Sequence, residues 1–206
     1  TVNLATGAAS NVFSAAALGV SNFATILGGS GNDILTGNAS TASSLVGNAG
    51  GDTMAGGTAA DTLSGLAGND SLTGGAGNDS LLGGNDDDTL VDGSGDDNLD
   101  GGSGNDTYVL TPGSTDVFTD GGGTTDVLDF SFASAGIGTN ATPFNLDSGA
   151  AQLVFGGHFV QLVGTFENFI GSGSDDFVQV TSNSVVRNVN GGIGNDKLIG
   201  PDADRK

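Results

Sequence analysis

Carboxylates at a fixed spacing are the chemically capable groups of this chain. From Gly47 the sequence runs in blocks of nine: GNAGGDTMA, GGTAADTLS, GLAGNDSLT, GGAGNDSLL, GGNDDDTLV, DGSGDDNLD and GGSGNDTYV, ending at Val109. The sixth position is always Asp: Asp52, Asp61, Asp70, Asp79, Asp88, Asp97 and Asp106. An isolated block, GGSGNDILT at 28–36, puts Asp33 in the same place. Carboxylates at regular intervals, flanked by glycine-rich turns with free backbone carbonyls, make an oxygen-donor array for a hard cation. The only His is His158 and there is no Cys, so the soft and borderline ligands that transition metals favour are nearly absent.

Six Gly-, Asn- and Asp-rich residues per block are expected to form a turn, and three residues around the apolar eighth position a short strand. That eighth position reads Met54, Leu63, Leu72, Leu81, Leu90, Leu99 and Tyr108, with Leu35 in the isolated block. It is expected to be the one residue of each block that points inward. If successive strands fall on opposite sides of a flattened coil, two blocks make one turn. Parallel strands then stack at about 4.8 Å. Asp52, Asp70, Asp88 and Asp106 line one edge, and Asp61, Asp79 and Asp97 the other. The expected fold class is all-β, a parallel solenoid of flattened turns (a β-roll), with a flanking β segment as cap.

Stacked carboxylates repel by about 3 kcal/mol per pair at an effective dielectric near 20. The apolar eighth residues alone do not offset the cost of ordering so glycine-rich a chain. A cation between turns reverses the sign of the repulsion. Ca²⁺ accepts six to eight oxygens in flexible geometry, whereas Mg²⁺ holds its water.

The blocks resemble the GGxGxDxUx nonapeptide of the RTX calcium-binding β-roll family. The resemblance implies several Ca²⁺ ions, each between the turns of blocks two apart. It pairs 52 with 70, 61 with 79, 70 with 88, 79 with 97 and 88 with 106. Carbonyls are implied from the fifth-position residues Asn69, Asn78, Asp87, Asp96 and Asn105. Asp126, Asp176 and Asp196 sit in single copies of the motif and are further candidate ligands. Departures fall at Ala59 and Asp86 (position four), Asn48 and Leu66 (position two) and Asp92 (position one). Strain at positive φ is expected around Ala59 and Asp86. Asp86 and Asp87 read either as extra carboxylates or as a solvated face.

The chain is expected to divide into an N-terminal cap with irregular repeats (1–46), the roll (47–109), a non-repeat β segment (110–170) and a second, degenerate repeat stretch (171–206). Nine of the 11 Phe lie between 118 and 177, which suggests a thicker aromatic core capping the open end. Residues 2–55 recur loosely as 144–199: Phe23–Leu35 aligns with Phe166–Val178, and Gly47–Met54 with Gly191–Leu198. That suggests one unit of a tandem array plus the opening of the next, cut from a longer protein.

The net charge of −20, with no Lys or Arg before Arg187, argues against nucleic acid as a partner. No apolar run is long enough to span a bilayer. No catalytic motif is visible: His158 reads as an ordinary strand residue, and Glu167 as solvent-facing or a cap ligand. The resemblance implies an extracellular or cell-surface protein exported unfolded through a one-step type I channel and folded by calcium outside. A structural role is expected, as a surface layer, adhesin, biofilm matrix or filament, with calcium and further copies of the same unit as partners. The alternative is an accessory roll of a secreted protease, lipase or epimerase.

Overall fold

The computed structural model describes residues 25–111, 115–133, 166–179 and 188–199, together with the backbone of short strands at 2–3, 12–14, 144–145, 152–153 and 159–163. His158 and most of the duplicated segment 144–150 lie outside the described residues. Every regular element among them is a strand. No helix among them is long and apolar enough to cross a membrane.

The strands are longer than the three residues expected. Thr62–Ala67, Ser71–Ala76, Ser80–Asn85, Thr89–Ser94 and Asn98–Ser103 each have six residues, running from position seven of one block to position three of the next. Pairing extends past the block boundary because glycine lets backbones of successive turns stack closely: Gly75 lies opposite Gly93, and Gly84 opposite Gly102. The turn shrinks to positions four to six.

Alternate blocks feed two parallel sheets, so two blocks make one coil turn. One sheet runs Val2–Asn3, Ile26–Leu27, Ser44–Ala49, Thr62–Ala67, Ser80–Asn85, Asn98–Ser103, Thr115–Thr119, Phe159–Val163 and, antiparallel at its end, Gln152–Leu153. The other runs Val12–Ser14, Ile34–Thr36, Thr53–Gly57, Ser71–Ala76, Thr89–Ser94, Thr107–Val109, Val127–Asp129, Asn168–Ile170 and Asn188–Asn190. A third sheet holds Phe144–Asn145, Phe177–Gln179 and Lys197–Ile199. The fold is a parallel β-solenoid, and its two long sheets continue into the segment beyond Val109.

The core is a pair of ladders. In the first sheet Leu45, Leu63, Leu81, Leu99 and Phe118 lie in register. In the second, Leu35, Met54, Leu72, Leu90, Tyr108, Leu128 and Phe169 do so. All are essentially inaccessible to solvent. Toward the C-terminal turns the filling becomes aromatic: Tyr108 meets Phe118 and Phe166 edge-on, with ring centroids 5.9 and 5.3 Å away. The Tyr108 hydroxyl donates to the Thr119 carbonyl (2.6 Å) and accepts from the Gly101 N–H (2.9 Å).

The eighth position is not alone in facing inward. With period-two alternation across the block boundary, positions six, eight and one are all buried, as with Asp61, Leu63 and Gly65. The sixth-position acids therefore stand inside the coil. Positive φ occurs at Asp86 (74°), as expected, but not at Ala59; the other non-glycine cases are Asn48 (85°) and Leu66 (82°). Positions two and four are thus the left-handed points of the coil, except in the second block, where neither Gly57 nor Ala59 has a positive φ.

Candidate metal centres along the stacked turns

Each sixth-position Asp precedes a strand, and its side chain reaches back by one coil turn. Asp70 Oδ1 accepts the Asp52 N–H at 2.7 Å, Asp88 Oδ1 that of Asp70 at 2.8 Å, and Asp106 Oδ1 that of Asp88 at 2.9 Å. On the other edge Asp79 accepts from Asp61 and Asp97 from Asp79, both at 2.7 Å. The stack extends beyond the nine-residue blocks. Asp33 N–H donates to Asp52 Oδ1 (2.7 Å), and Ser43 N–H to Asp61 Oδ1 (2.6 Å). Asp97 N–H donates to Asp116 Oδ1 (3.0 Å), Asp106 N–H to Asp126 Oδ1 (2.7 Å), and Asp126 N–H to Glu167 Oε2 (2.9 Å).

One edge thus reads Asp33, Asp52, Asp70, Asp88, Asp106, Asp126, Glu167, and the other Ser43, Asp61, Asp79, Asp97, Asp116. The nine-residue spacing does not single out Asp116. Glu167 is buried, which corrects the solvent-facing expectation: it takes the sixth position of its turn because Phe169 fills the apolar place two residues on. Spacing hid both. The offset is 18 residues inside the blocks but 19 from Asp97 to Asp116 and 41 from Asp126 to Glu167. Extra residues are absorbed between the strands while the stack keeps register. The surviving signal is an acid two places before a large apolar residue, as in Asp116–Val117–Phe118 and Glu167–Asn168–Phe169.

Asp176 and Asp196 form a separate pair in the third sheet. Asp176 N–H donates to Asp196 Oδ1 at 3.0 Å, as Asp33 N–H does to Asp52. The Oδ2 atoms correspond as well: Asp33 Oδ2 accepts from Gly29 N–H and Asp176 Oδ2 from Ser172 N–H, both at 2.7 Å. The aligned segments therefore build the same local pair.

The fifth-position residues Asn69, Asn78, Asp87, Asp96 and Asn105 are exposed. Four of their side chains tie neighbouring turns. Asn78 Oδ1 accepts from Asp96 N–H (3.1 Å), Asp87 Oδ1 from Asn105 N–H (2.8 Å), Asp96 Oδ1 from Thr115 N–H (2.9 Å) and Asn105 Oδ1 from Thr124 N–H (3.2 Å). Asp86 is exposed too and accepts from Gly68 N–H at 3.2 Å.

The inner carboxylate oxygens have no such partner. Oδ2 of Asp52, Asp61, Asp70, Asp79, Asp88, Asp92, Asp97, Asp106 and Asp126 is buried without a hydrogen bond. Burial raises the affinity of these groups for a proton, backbone N–H donors offset part of that, and neighbouring carboxylates add to it at all of them except Asp61. Asp70 is pushed up to about 6, Asp88 and Asp126 to about 7, and Asp97 to about 8. Asp52, Asp61, Asp79 and Asp106 move the same way, burial again leading. Ionised, such a stack is electrostatically uncompensated.

Position one explains what the space around these oxygens is for. A methyl group added at Gly74 would lie 2.5 Å from Asp79 Oδ2 and 2.5 Å from the Asp92 carbonyl oxygen of the next turn. At Gly28 the same test meets the Gly47 carbonyl oxygen at 2.5 Å and Asp33 Oδ2 at 2.7 Å. A carboxylate oxygen and a carbonyl oxygen from adjacent turns thus converge where a side chain would otherwise stand. All-oxygen donors, excess negative charge and buried lone pairs without donors fit a hard divalent cation of the Ca²⁺ type.

RTX calcium-binding nonapeptide repeats match this chain in four copies, over residues 19–41, 46–81 and 82–114. No curated protein and no solved structure matches it.

Proposed function

We propose that this chain, a β-solenoid built on RTX calcium-binding repeats, is a calcium-folded, non-catalytic module of a secreted or cell-surface bacterial protein. Its role is structural, in a surface layer, adhesin, matrix or filament. The observation that carries the calcium-folding part is the set of nine buried Oδ2 atoms that find no donor in the fold. Leaving such a group unmet costs about 1–3 kcal/mol, and more when it is charged.

Acids on adjacent turns hold the ions together: Asp52 with Asp70, Asp70 with Asp88 and Asp88 with Asp106 on one edge, and Asp61 with Asp79 and Asp79 with Asp97 on the other. Asp33, Asp116, Asp126 and Glu167 extend both runs, and Asp176 with Asp196 forms a further pair. When bound, calcium supplies positive charge between carboxylates that otherwise repel. The protein's own contribution is register: backbone N–H groups fix Oδ1 of Asp52, Asp61, Asp70, Asp79, Asp88, Asp97, Asp106 and Asp126, and leave each Oδ2 buried without a donor. Because the unfolded chain has no such arrangement, ion binding adds to folding free energy. A chain unfolded at low calcium and folded at high calcium suits export through a narrow channel, and its net charge of −20 keeps the unfolded form dispersed.

The structural role is favoured by the recurrence of the Asp33–Asp52 geometry at Asp176–Asp196, as expected of tandem units. Far-ultraviolet circular dichroism in calcium and in excess chelator tests the folding claim. The β signal is expected to collapse on chelation and to return with calcium; an unchanged spectrum overturns it. Sedimentation in calcium tests the assembly claim, which a strict monomer at high concentration contradicts.

A further inference from the structure

Position one is glycine in six of the seven blocks, because the block's own sixth-position carboxylate crowds it, joined at Gly56, Gly65, Gly74 and Gly83 by a carbonyl oxygen of the next turn; in the sixth block it is Asp92. The substitution sends a further carboxylate into the interior. Asp92 is 0% exposed. Its Oδ1 accepts from Gly93 N–H (2.5 Å) and from both the N–H and the hydroxyl of Thr111 (2.8 Å each). Its Oδ2 is buried and has no hydrogen-bond partner.

Asp97, five residues on in the same block, is 2% exposed. Its Oδ1 is taken by Asp79 N–H, and its Oδ2 is likewise buried without a partner. Asp116, on the following turn, is also 2% exposed and accepts from Asp97 N–H. One oxygen of each of the three acids lies within 4.8 Å of one from each of the others. Among the described residues this is the one place where three acids converge so closely.

We propose that Asp92, Asp97 and Asp116 form a three-carboxylate site for a hard divalent cation of the calcium type, tighter than the two-carboxylate sites of the repeat and filled before them. The inference rests on the calcium reading above and deepens it. Elsewhere each site draws on two sixth-position acids, and an internal acid serves the sites on both sides of it. Asp92 is extra to both edges and is not shared. Calcium affinity at oxygen sites rises with the number of charged ligands and with rigidity. Here Thr111 and Gly93 fix the added carboxylate through three hydrogen bonds. The site sits where the regular blocks hand over to the turns beyond Val109, so filling it first would join Asp97 to the first irregular turn, that of Asp116.

The test is calcium titration of the whole chain by competition with a chromophoric chelator, for the wild type, Asp92→Asn and Asp92→Gly. Asn keeps the shape and an Oδ1 acceptor, and Gly restores the residue found at this position in the other blocks. Circular dichroism in excess calcium establishes that each variant is folded. The wild type is expected to show about one ion bound at least tenfold more tightly than the rest. Both variants are expected to lose that class and keep the weaker one. Variant isotherms superimposable on a calcium-binding wild type overturn this inference alone, leaving Asp92 as an acceptor for Thr111. A wild type that takes up no calcium overturns the underlying reading as well.

Discussion

Asp79 sits between two partners on its edge of the coil, and replacing it with Asn separates ion binding from ordinary packing. Asn keeps the Oδ1 that accepts the Asp61 N–H at 2.7 Å, and the Asp79 N–H still donates to Asp97 Oδ1 at 2.7 Å. What is lost is the charge and the buried, partnerless Oδ2. That oxygen serves the site shared with Asp61 and the site shared with Asp97, so two sites are damaged. At calcium 100 times the dissociation constant each site adds about 2.7 kcal/mol to stability, so the loss approaches about 5 kcal/mol. Without calcium, and above about pH 8 where Asp97 is ionised, the sign reverses. Removing one of three stacked charges relieves about 3 kcal/mol of repulsion per neighbour at an effective dielectric near 20. Asp87→Asn is the control: Asp87 is exposed, and its change should stay within about 0.5 kcal/mol. Urea unfolding at graded calcium reads both effects, since the slope of stability against the logarithm of calcium counts ions taken up on folding. Asp79→Asn should lower that slope by about two ions. A slope equal to that of the wild type, or a loss no larger than that of Asp87→Asn, would refute the reasoning.

Three further outcomes follow from named groups. In chelator, the coil should gain stability on acidification: Asp70, Asp88, Asp97 and Asp126 have folded values of about 6 to 8 against an ordinary 3.8. The folded state then binds more protons, and stability falls as pH rises from about 4 through 8. Circular dichroism across that range checks it, and β structure that grows with pH in chelator contradicts it. Tyr108→Phe should cost about 1–3 kcal/mol in calcium by leaving the buried Gly101 N–H without its acceptor, measured by urea unfolding. Leu66→Gly should raise the thermal midpoint in calcium, worth about 1 kcal/mol, because Leu66 holds a φ of 82° that glycine adopts without strain. A lowered midpoint would show that the exposed Leu66 side chain matters more than its backbone.

Much of this architecture is legible in the sequence where the period is strict. A nine-residue repeat of Asp at position six and a large, mostly apolar residue at position eight, two blocks to a coil turn, dictates both the in-register apolar ladder and the acid stack, because strands one turn apart must match side by side. The sequence is silent where turns take up extra residues. Asp116 and Glu167 keep their places in the stack at offsets of 19 and 41, so periodicity passes over them although the acid-x-apolar triplet remains. Strand length is not legible, because glycine at positions one and two reads as turn. In the coil it is what lets carbonyls and carboxylates of adjacent turns approach. Asp92 illustrates the same point: only knowing that position one faces inward makes that substitution a buried charge and not a surface one.

The most direct measurement is a crystal structure of the chain grown in calcium, with ions located by their anomalous scattering along both edges. Density is expected between successive acids of each stack, at Asp52–Asp70, Asp61–Asp79, Asp70–Asp88, Asp79–Asp97 and Asp88–Asp106, with every Oδ2 of these acids ligating. An intact coil in calcium whose Oδ2 atoms contact no ion would contradict the account at its root.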